Sequence, residues 1–124
     1  MKKMSGLLIL PAALLMVSSI TSASTQLSEN VYSPDQGVIC DKKAGFCADS
    51  YGISMEFTKE FLGQAAQDKM MAMVDKVGSS NFDTTRYSMS NKVYCDAEKQ
   101  SCYTDRFSDT KAEAYNAILY PTQH

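Results

Sequence analysis

Apolar positions along this chain follow two periods. Over residues 58–77, Phe61, Leu62, Ala65, Met70, Met73, Val74 and Val77 recur at three- and four-residue spacing, so they line one side of a helix. Thr58 is placed to cap its start, with Glu60 favourable near the positive end of the dipole. Gly78 is the natural stop. Gly63, inside the stripe, costs about 1 kcal/mol relative to alanine, and this reading makes it the mark of a close approach by a strand. Phe61, Leu62, Met70 and Met73 are expected to be buried against a sheet. The methionines Met70, Met71 and Met73 read as core packing rather than a soft-metal site, because no histidine or free thiol accompanies them.

Elsewhere the pattern has the shorter period of strands. Residues 38–41 and 46–49 read as a hairpin around a turn at 42–45, with Gly45 in the left-handed position. Ser33-Pro34-Asp35-Gln36-Gly37 reads as a turn before it, and Ser50-Tyr51-Gly52 as the end of the unit. Residues 82–89, 93–96 and 101–107 read as three strands of an antiparallel meander, the first two joined by Ser90-Asn91-Lys92, where Asn91 suits positive φ. Their register stays open. Residues 109–120 read as a short helix that Pro121 ends, with Thr110-Lys111-Ala112-Glu113 as a capping box. A helix of that length is marginal alone and must dock or fray.

The four cysteines fall in two copies of one motif. Val38-Ile39-Cys40-Asp41 runs to Cys47 and Val93-Tyr94-Cys95-Asp96 to Cys102, each V-x-C-D-x5-C. The repeat favours local pairing, Cys40 with Cys47 and Cys95 with Cys102, since the ends of a four-residue hairpin loop lie opposite each other within reach of a disulfide. Each bridge would contribute roughly 2.5 kcal/mol in the loop-entropy model. Crossed pairing, such as Cys40 with Cys102, stays open and requires the two hairpins to abut. The spacing matches neither the C-x-x-C of an oxidoreductase nor the C-x2–4-C of structural zinc. The resulting fold class is α+β: a disulfide-closed β-hairpin, one amphipathic helix, then a three-stranded antiparallel meander with a second disulfide hairpin.

The start of the chain changes the compartment. Lys2 and Lys3, the largely apolar run 7–20 and the small residues Thr21, Ser22, Ala23 and Ser24 have the order of a secretory signal peptide, with cleavage expected after Ala23. The domain organisation expected is a signal peptide at 1–23, a flexible N-terminus at 24–30, a disulfide-stapled domain at 31–108, and a short helix and tail at 109–124. Of the 124 residues, 101 would then remain, enough for one small core. The chain holds 12 basic and 14 acidic residues, and loss of Lys2 and Lys3 would leave a net charge of −4. A mildly acidic domain without a basic stripe is a poor partner for nucleic acid or anionic lipid. After cleavage no spanning segment is expected, and location is periplasmic or secreted.

Little here points to catalysis. His124 is the only histidine and ends a polar tail, so a serine or cysteine nucleophile has no positioned base. No phosphate loop or dinucleotide fingerprint occurs, and no cofactor or metal is expected. Paired carboxylates among Asp41, Asp49, Asp96 and Asp105, with Asp83 near a strand end, would suit a small hydrolase such as a glycosidase. The blander reading is that an Asp after a cysteine starts a hairpin turn by accepting backbone N–H bonds.

These blocks resemble a known family. Ser33-Pro34-x-x-Gly37-Val38-x-Cys40-Asp41 and Phe46-Cys47-Ala48-Asp49-x-x-Gly52-Ile53-Ser54 are similar to the small exported bacterial proteins of the YcgJ type, also described as Fels-prophage-protein-like. Thr58 with Leu62-Gly63, Phe82-Asp83-Thr84-Thr85, Ser90-Asn91-x-Val93-x-Cys95-Asp96 and Cys102-Tyr103-x-Asp105-Arg106 continue the likeness over about residues 32–107. Lys92 stands where the family pattern has glycine. The resemblance implies an exported scaffold and transfers no catalytic residue. The expected function is a non-enzymatic binding or accessory module of the bacterial envelope, with Tyr32, Tyr51, Tyr94 and Tyr103 as candidate surface and an envelope or extracellular protein or glycan as partner. The rivals are the carboxylate hydrolase and a structural or stress-related envelope protein without a dedicated ligand.

Overall fold

The computed structural model describes residues 24–121. The expected signal segment and His124 lie outside them. Five antiparallel strands form the first sheet in chain order: β1 (Thr25–Gln26), β2 (Val31–Asp35), β3 (Val38–Asp41), β4 (Phe46–Asp49) and β5 (Gly52–Ser54). Residues 24–30, expected to be flexible, therefore contain an edge strand paired to β2. The expected turn at 33–37 is narrower than predicted. β2 runs through Ser33 and Pro34, and an irregularity in the β2–β3 ladder between Tyr32 and Asp35 accommodates the proline. Gly37, at φ +77°, makes the turn. Ser50 and Tyr51 do not end the unit but connect β4 to β5, with the Asp49 carboxylate accepting from Tyr51 N–H at 2.9 Å.

The single expected helix is two. α1 (Met55–Leu62) begins three residues earlier than predicted, and its cap is Ser54, whose hydroxyl accepts from Phe57 N–H at 3.0 Å. Thr58 is not a cap but a fully buried residue of the first turns. Gly63, at φ +101°, separates α1 from α2 (Gln64–Val77), and a Cβ there would meet nothing within 4 Å. The glycine serves a positive-φ break between the two helices, not a close approach. That approach occurs at Gly52, where a Cβ would collide with the carbonyl oxygen of Thr84. Past the break at Gly63, Met70 is the only residue of α2 that is buried. Met73, expected in the core, is 48% exposed, and Phe61 and Leu62 are half-buried.

β6 (Arg86–Ser88), β7 (Tyr94–Asp96) and β8 (Ser101–Tyr103) form the expected antiparallel meander. β6 is shorter than predicted because Asp83 draws residues 83–86 into a turn, accepting from Thr85 N–H at 2.9 Å. Lys92, not Asn91, takes positive φ, at +80°. The capping box at Thr110 does not form. Residues 110–112 instead run alongside β8, with Thr104 N–H donating to Thr110 and Ala112 N–H to Cys102. α3 (Glu113–Leu119) then docks, burying Tyr115, Asn116 and Leu119, followed by Tyr120.

The layers follow from strand parity. Val38, Cys40 and Cys47 face α1 and pack with Tyr32, Phe57, Phe61 and Leu62. Ile39, Phe46 and Ala48 face the other way into the main core with Tyr87, Met89, Cys95, Cys102 and α3. β3 is thus buried at all four positions, as a strand covered on both faces must be. Phe46 meets Tyr87 edge to face with centroids 5.6 Å apart, joining the two sheets.

Candidate functional site

The two cysteine hairpins are halves of a longer repeat. Each copy reads Tyr-Ser-x4-Val-x-Cys-Asp-x5-Cys, from Tyr32 to Cys47 and from Tyr87 to Cys102. The repeat is structural as well as written. Tyr32 pairs with Cys40 and Tyr87 with Cys95. Cys40 faces Cys47 and Cys95 faces Cys102, each disulfide-bonded with Cα atoms 4.0 Å apart, so the local connectivity holds. Gly37 and Lys92 occupy the same positive-φ position, as do Gly45 at +87° and Gln100 at +56°. In each copy a buried helical side chain meets the second cysteine. Thr58 Oγ1 accepts from Cys47 N–H at 2.9 Å and donates to the Ser54 carbonyl at 2.6 Å. Asn116 Oδ1 accepts from Cys102 N–H at 2.6 Å, and its Nδ2 donates to the Cys102 carbonyl at 3.0 Å.

The candidate carboxylates are engaged in shaping turns. Asp41 Oδ1 accepts from Lys43 and Ala44 N–H at 3.0 and 2.9 Å; Asp96 Oδ1 accepts from the equivalent Glu98 and Lys99 at 3.0 and 3.2 Å. Asp41 is fully buried and also holds the second unit, accepting from Ser90 N–H at 2.6 Å and Ser90 Oγ at 2.9 Å. Asp49 and Asp105 accept from Tyr51 and Phe107 N–H. Among the described residues, no hydrogen bond links any two of the four. Nor is any group of three or more His, Cys, Asp or Glu side chains arranged there to hold a metal ion.

The four tyrosines do not share one surface. Tyr32 lies under α1 with Lys42 Nζ 5.3 Å from its ring centre, and burial raises its pKa. Tyr51 is 85% exposed at a turn tip of the first sheet. Tyr94 and Tyr103 are brought together. They pair directly across β7 and β8, and Ser88 of β6 pairs with Tyr94 on its other side. Paired residues project to the same face, so this row lies opposite the buried row Tyr87, Cys95 and Cys102.

That outer face carries side chains that sequence reasoning passed over. Arg86, two residues from Ser88, projects to the same side. An open cleft of about 400 Å³ is lined by Asp83, Arg86, Ser88, Tyr94 and Arg106. A second, of about 440 Å³, shares Ser88 and Arg106 and adds Met89, Lys92, Asp105 and Phe107. Phe107 is 90% exposed, and the Arg106 guanidinium carbon lies 5.5 Å from its ring centre. Arg86 Nε donates to Asp83 Oδ2 at 2.7 Å. The Asp83 carboxyl is held down to about 2 by bonds from the Thr85 hydroxyl, Arg86 and the Thr85 amide, and its hydrogen bond, with its charge, raises the Arg86 pKa in return. The available signal was arginine usage: Arg86 and Arg106 are the only two arginines, and they flank the meander.

The family model described as YcgJ protein matches residues 31–120. A relative from Escherichia coli (strain K12), bearing the name Uncharacterized protein YcgJ, is 30% identical over 93 residues, which span 75% of this chain and 68% of the relative. The family match reaches past the expected likeness at 32–107 and takes in α3. No solved structure matches the chain.

Proposed function

The chain belongs to the YcgJ family, and from that premise we propose that it is a non-enzymatic binding module of the bacterial envelope, periplasmic or secreted, that recognises its partner through the outer face of β6–β8. One observation carries the reading. A sheet stapled on its buried face by Cys95–Cys102 presents Tyr94 and Tyr103 side by side, with Arg86, Arg106 and Phe107 around two adjoining clefts. Aromatic and arginine side chains dominate recognition surfaces because they offer large contact area and directed hydrogen bonds. A rigid sheet limits the ordering cost of binding. Two disulfides suit an oxidising compartment, and no helix among the described residues is long and apolar enough to cross a membrane. The turn-forming roles of Asp41, Asp49, Asp96 and Asp105 favour binding over the carboxylate hydrolase.

The test is affinity capture from envelope extract with the oxidised full-length product, comparing a Tyr94→Ala/Tyr103→Ala variant with a Met71→Ser/Met73→Ser variant on the exposed side of α2. Capture lost only in the tyrosine variant supports the reading. Turnover of a glycan or ester that disappears on Asp→Asn change at one of the four aspartates would replace it with the hydrolase.

A further inference from the structure

A chain with more acids than bases gathers its only two arginines, with Lys92, around one pair of joined clefts. Arg86 and Arg106 come from separate segments, β6 and the loop after β8, so the meander itself brings them together. Among the described residues Arg86 makes one ion pair, through Nε to Asp83, which orients the guanidinium and leaves its terminal nitrogens without a bonded side chain. Arg106 makes no ion pair there. Asp83 and Asp105 also line the clefts and offset part of the charge of Arg86, Arg106 and Lys92, so three cations against two carboxylates leave the lining with one positive charge in excess. Two forked guanidinium groups lining one open cleft match an oxyanion, which they bind through paired, charge-assisted hydrogen bonds.

The rest of the lining narrows the class. Ser88 and Tyr94 add hydroxyls, and the exposed ring of Phe107 stands at the far end beyond Arg106. Hydroxyl groups and flat aromatic surfaces are what a sugar ring uses: its own hydroxyls hydrogen-bond, and its C–H face lies on a ring. The second cleft is mainly apolar, with Met89 beside Phe107, which suits the C–H face of a sugar ring, and one exposed phenylalanine is too little apolar surface for a lipid tail. From charge complementarity and lining together, we infer that the Arg86–Arg106 groove binds an acidic saccharide. Its carboxylate or phosphate sits between the guanidinium groups and a neighbouring ring lies against Phe107. This deepens the binding-module reading and rests on it.

The experiment is titration calorimetry of the oxidised protein against uronate, N-acetylmuramate and phosphorylated oligosaccharides, each beside its methyl ester or dephosphorylated counterpart, with inorganic phosphate and an acidic peptide as further arms. At least one acidic sugar should bind, its neutral counterpart should bind at least tenfold more weakly, and phosphate alone and the peptide should bind more weakly still. Arg106→Gln should weaken the acidic sugar roughly tenfold to a hundredfold, the loss expected for charged hydrogen bonds. Arg86→Lys, which keeps charge and the Asp83 contact but not the fork, should weaken it less. Lys59→Gln on α1 should leave it unchanged, and full disulfide content checks that each variant folds. No binding by any acidic sugar, equal binding of neutral and acidic forms, preference for the peptide, or indifference to Arg106→Gln each overturns the inference. If envelope capture still fails in the Tyr94→Ala/Tyr103→Ala variant but survives Arg106→Gln, the binding face stands and its acidic-saccharide ligand falls.

Discussion

Replacing Asn116 with alanine should cost about 2–4 kcal/mol, although the residue lies on the short helix farthest along the chain. Asn116 is fully buried, and its carboxamide pairs with both backbone groups of Cys102, standing where a neighbouring strand would otherwise lie. The Cys102 carbonyl keeps a second donor, Ala112 N–H at 2.9 Å. The Cys102 amide does not, so truncation buries an unsatisfied N–H at about 1–3 kcal/mol. The lost side-chain volume adds roughly 1 kcal/mol of cavity and packing cost. Asn116→Leu fills the space and should still lose the first part. Asn116→Asp keeps the shape and the acceptor but places a carboxylate against the Cys102 carbonyl. Burial raises the pKa of the new carboxyl, so the folded state prefers its protonated form. Stability of that variant should be greatest below the ordinary carboxyl range and fall as pH rises through the raised value. Urea unfolding followed by circular dichroism, disulfides intact, at pH 4 and pH 7 measures all three. If Asn116→Ala unfolds within about 0.5 kcal/mol of the parent with an unchanged slope, the carboxamide is not what closes the edge of β8.

Three further outcomes follow from backbone and charge. Lys92→Gly should stabilise the protein by about 0.5–1 kcal/mol, because Lys92 holds φ +80° and glycine removes the Cβ strain while returning part of the gain as unfolded-state entropy; a lower midpoint in thermal unfolding would contradict this. Gly52→Ala should destabilise by more than about 1 kcal/mol, since φ is +123° and the added Cβ meets the Thr84 backbone, which cannot swing away as a side chain would; an unchanged midpoint would show that the β5–β6 junction is loose. Asp83 should titrate near 2 in a carboxyl NMR experiment. Because its folded pKa is depressed, what it contributes to stability is present above the ordinary value of 3.8 and is lost as pH falls from there toward 2, and Asp83→Asn should remove that dependence.

The local chemistry of the chain reads directly from its letters. Both disulfides, the turn at Gly45, the helix stop at Gly78, the meander and the α+β class each rest on residues within a few positions of one another, where backbone geometry leaves few choices. The repeat was legible beyond the part recognised, since Tyr32-Ser33 and Tyr87-Ser88 stand at equal distances from their cysteines. The arginines of the candidate site were legible only as unusual residues, not as neighbours. What packing decided is of another kind. The stripe on residues 58–77 is continuous in sequence, yet at Gly63 the chain takes φ +101°, and α1 is buried against the first sheet while most of α2 is not. Thr58 looks like a cap by local preference and Asn116 carries no local signal; they are buried partners of Cys47 and Cys102 because a strand amide left without a ladder partner must find an acceptor wherever the fold can bring one. Periodicity reports which residues avoid water, and hydrogen-bonding preference reports which turns close. Neither reports which distant segment will arrive to cover a strand, because that choice belongs to the whole packed chain.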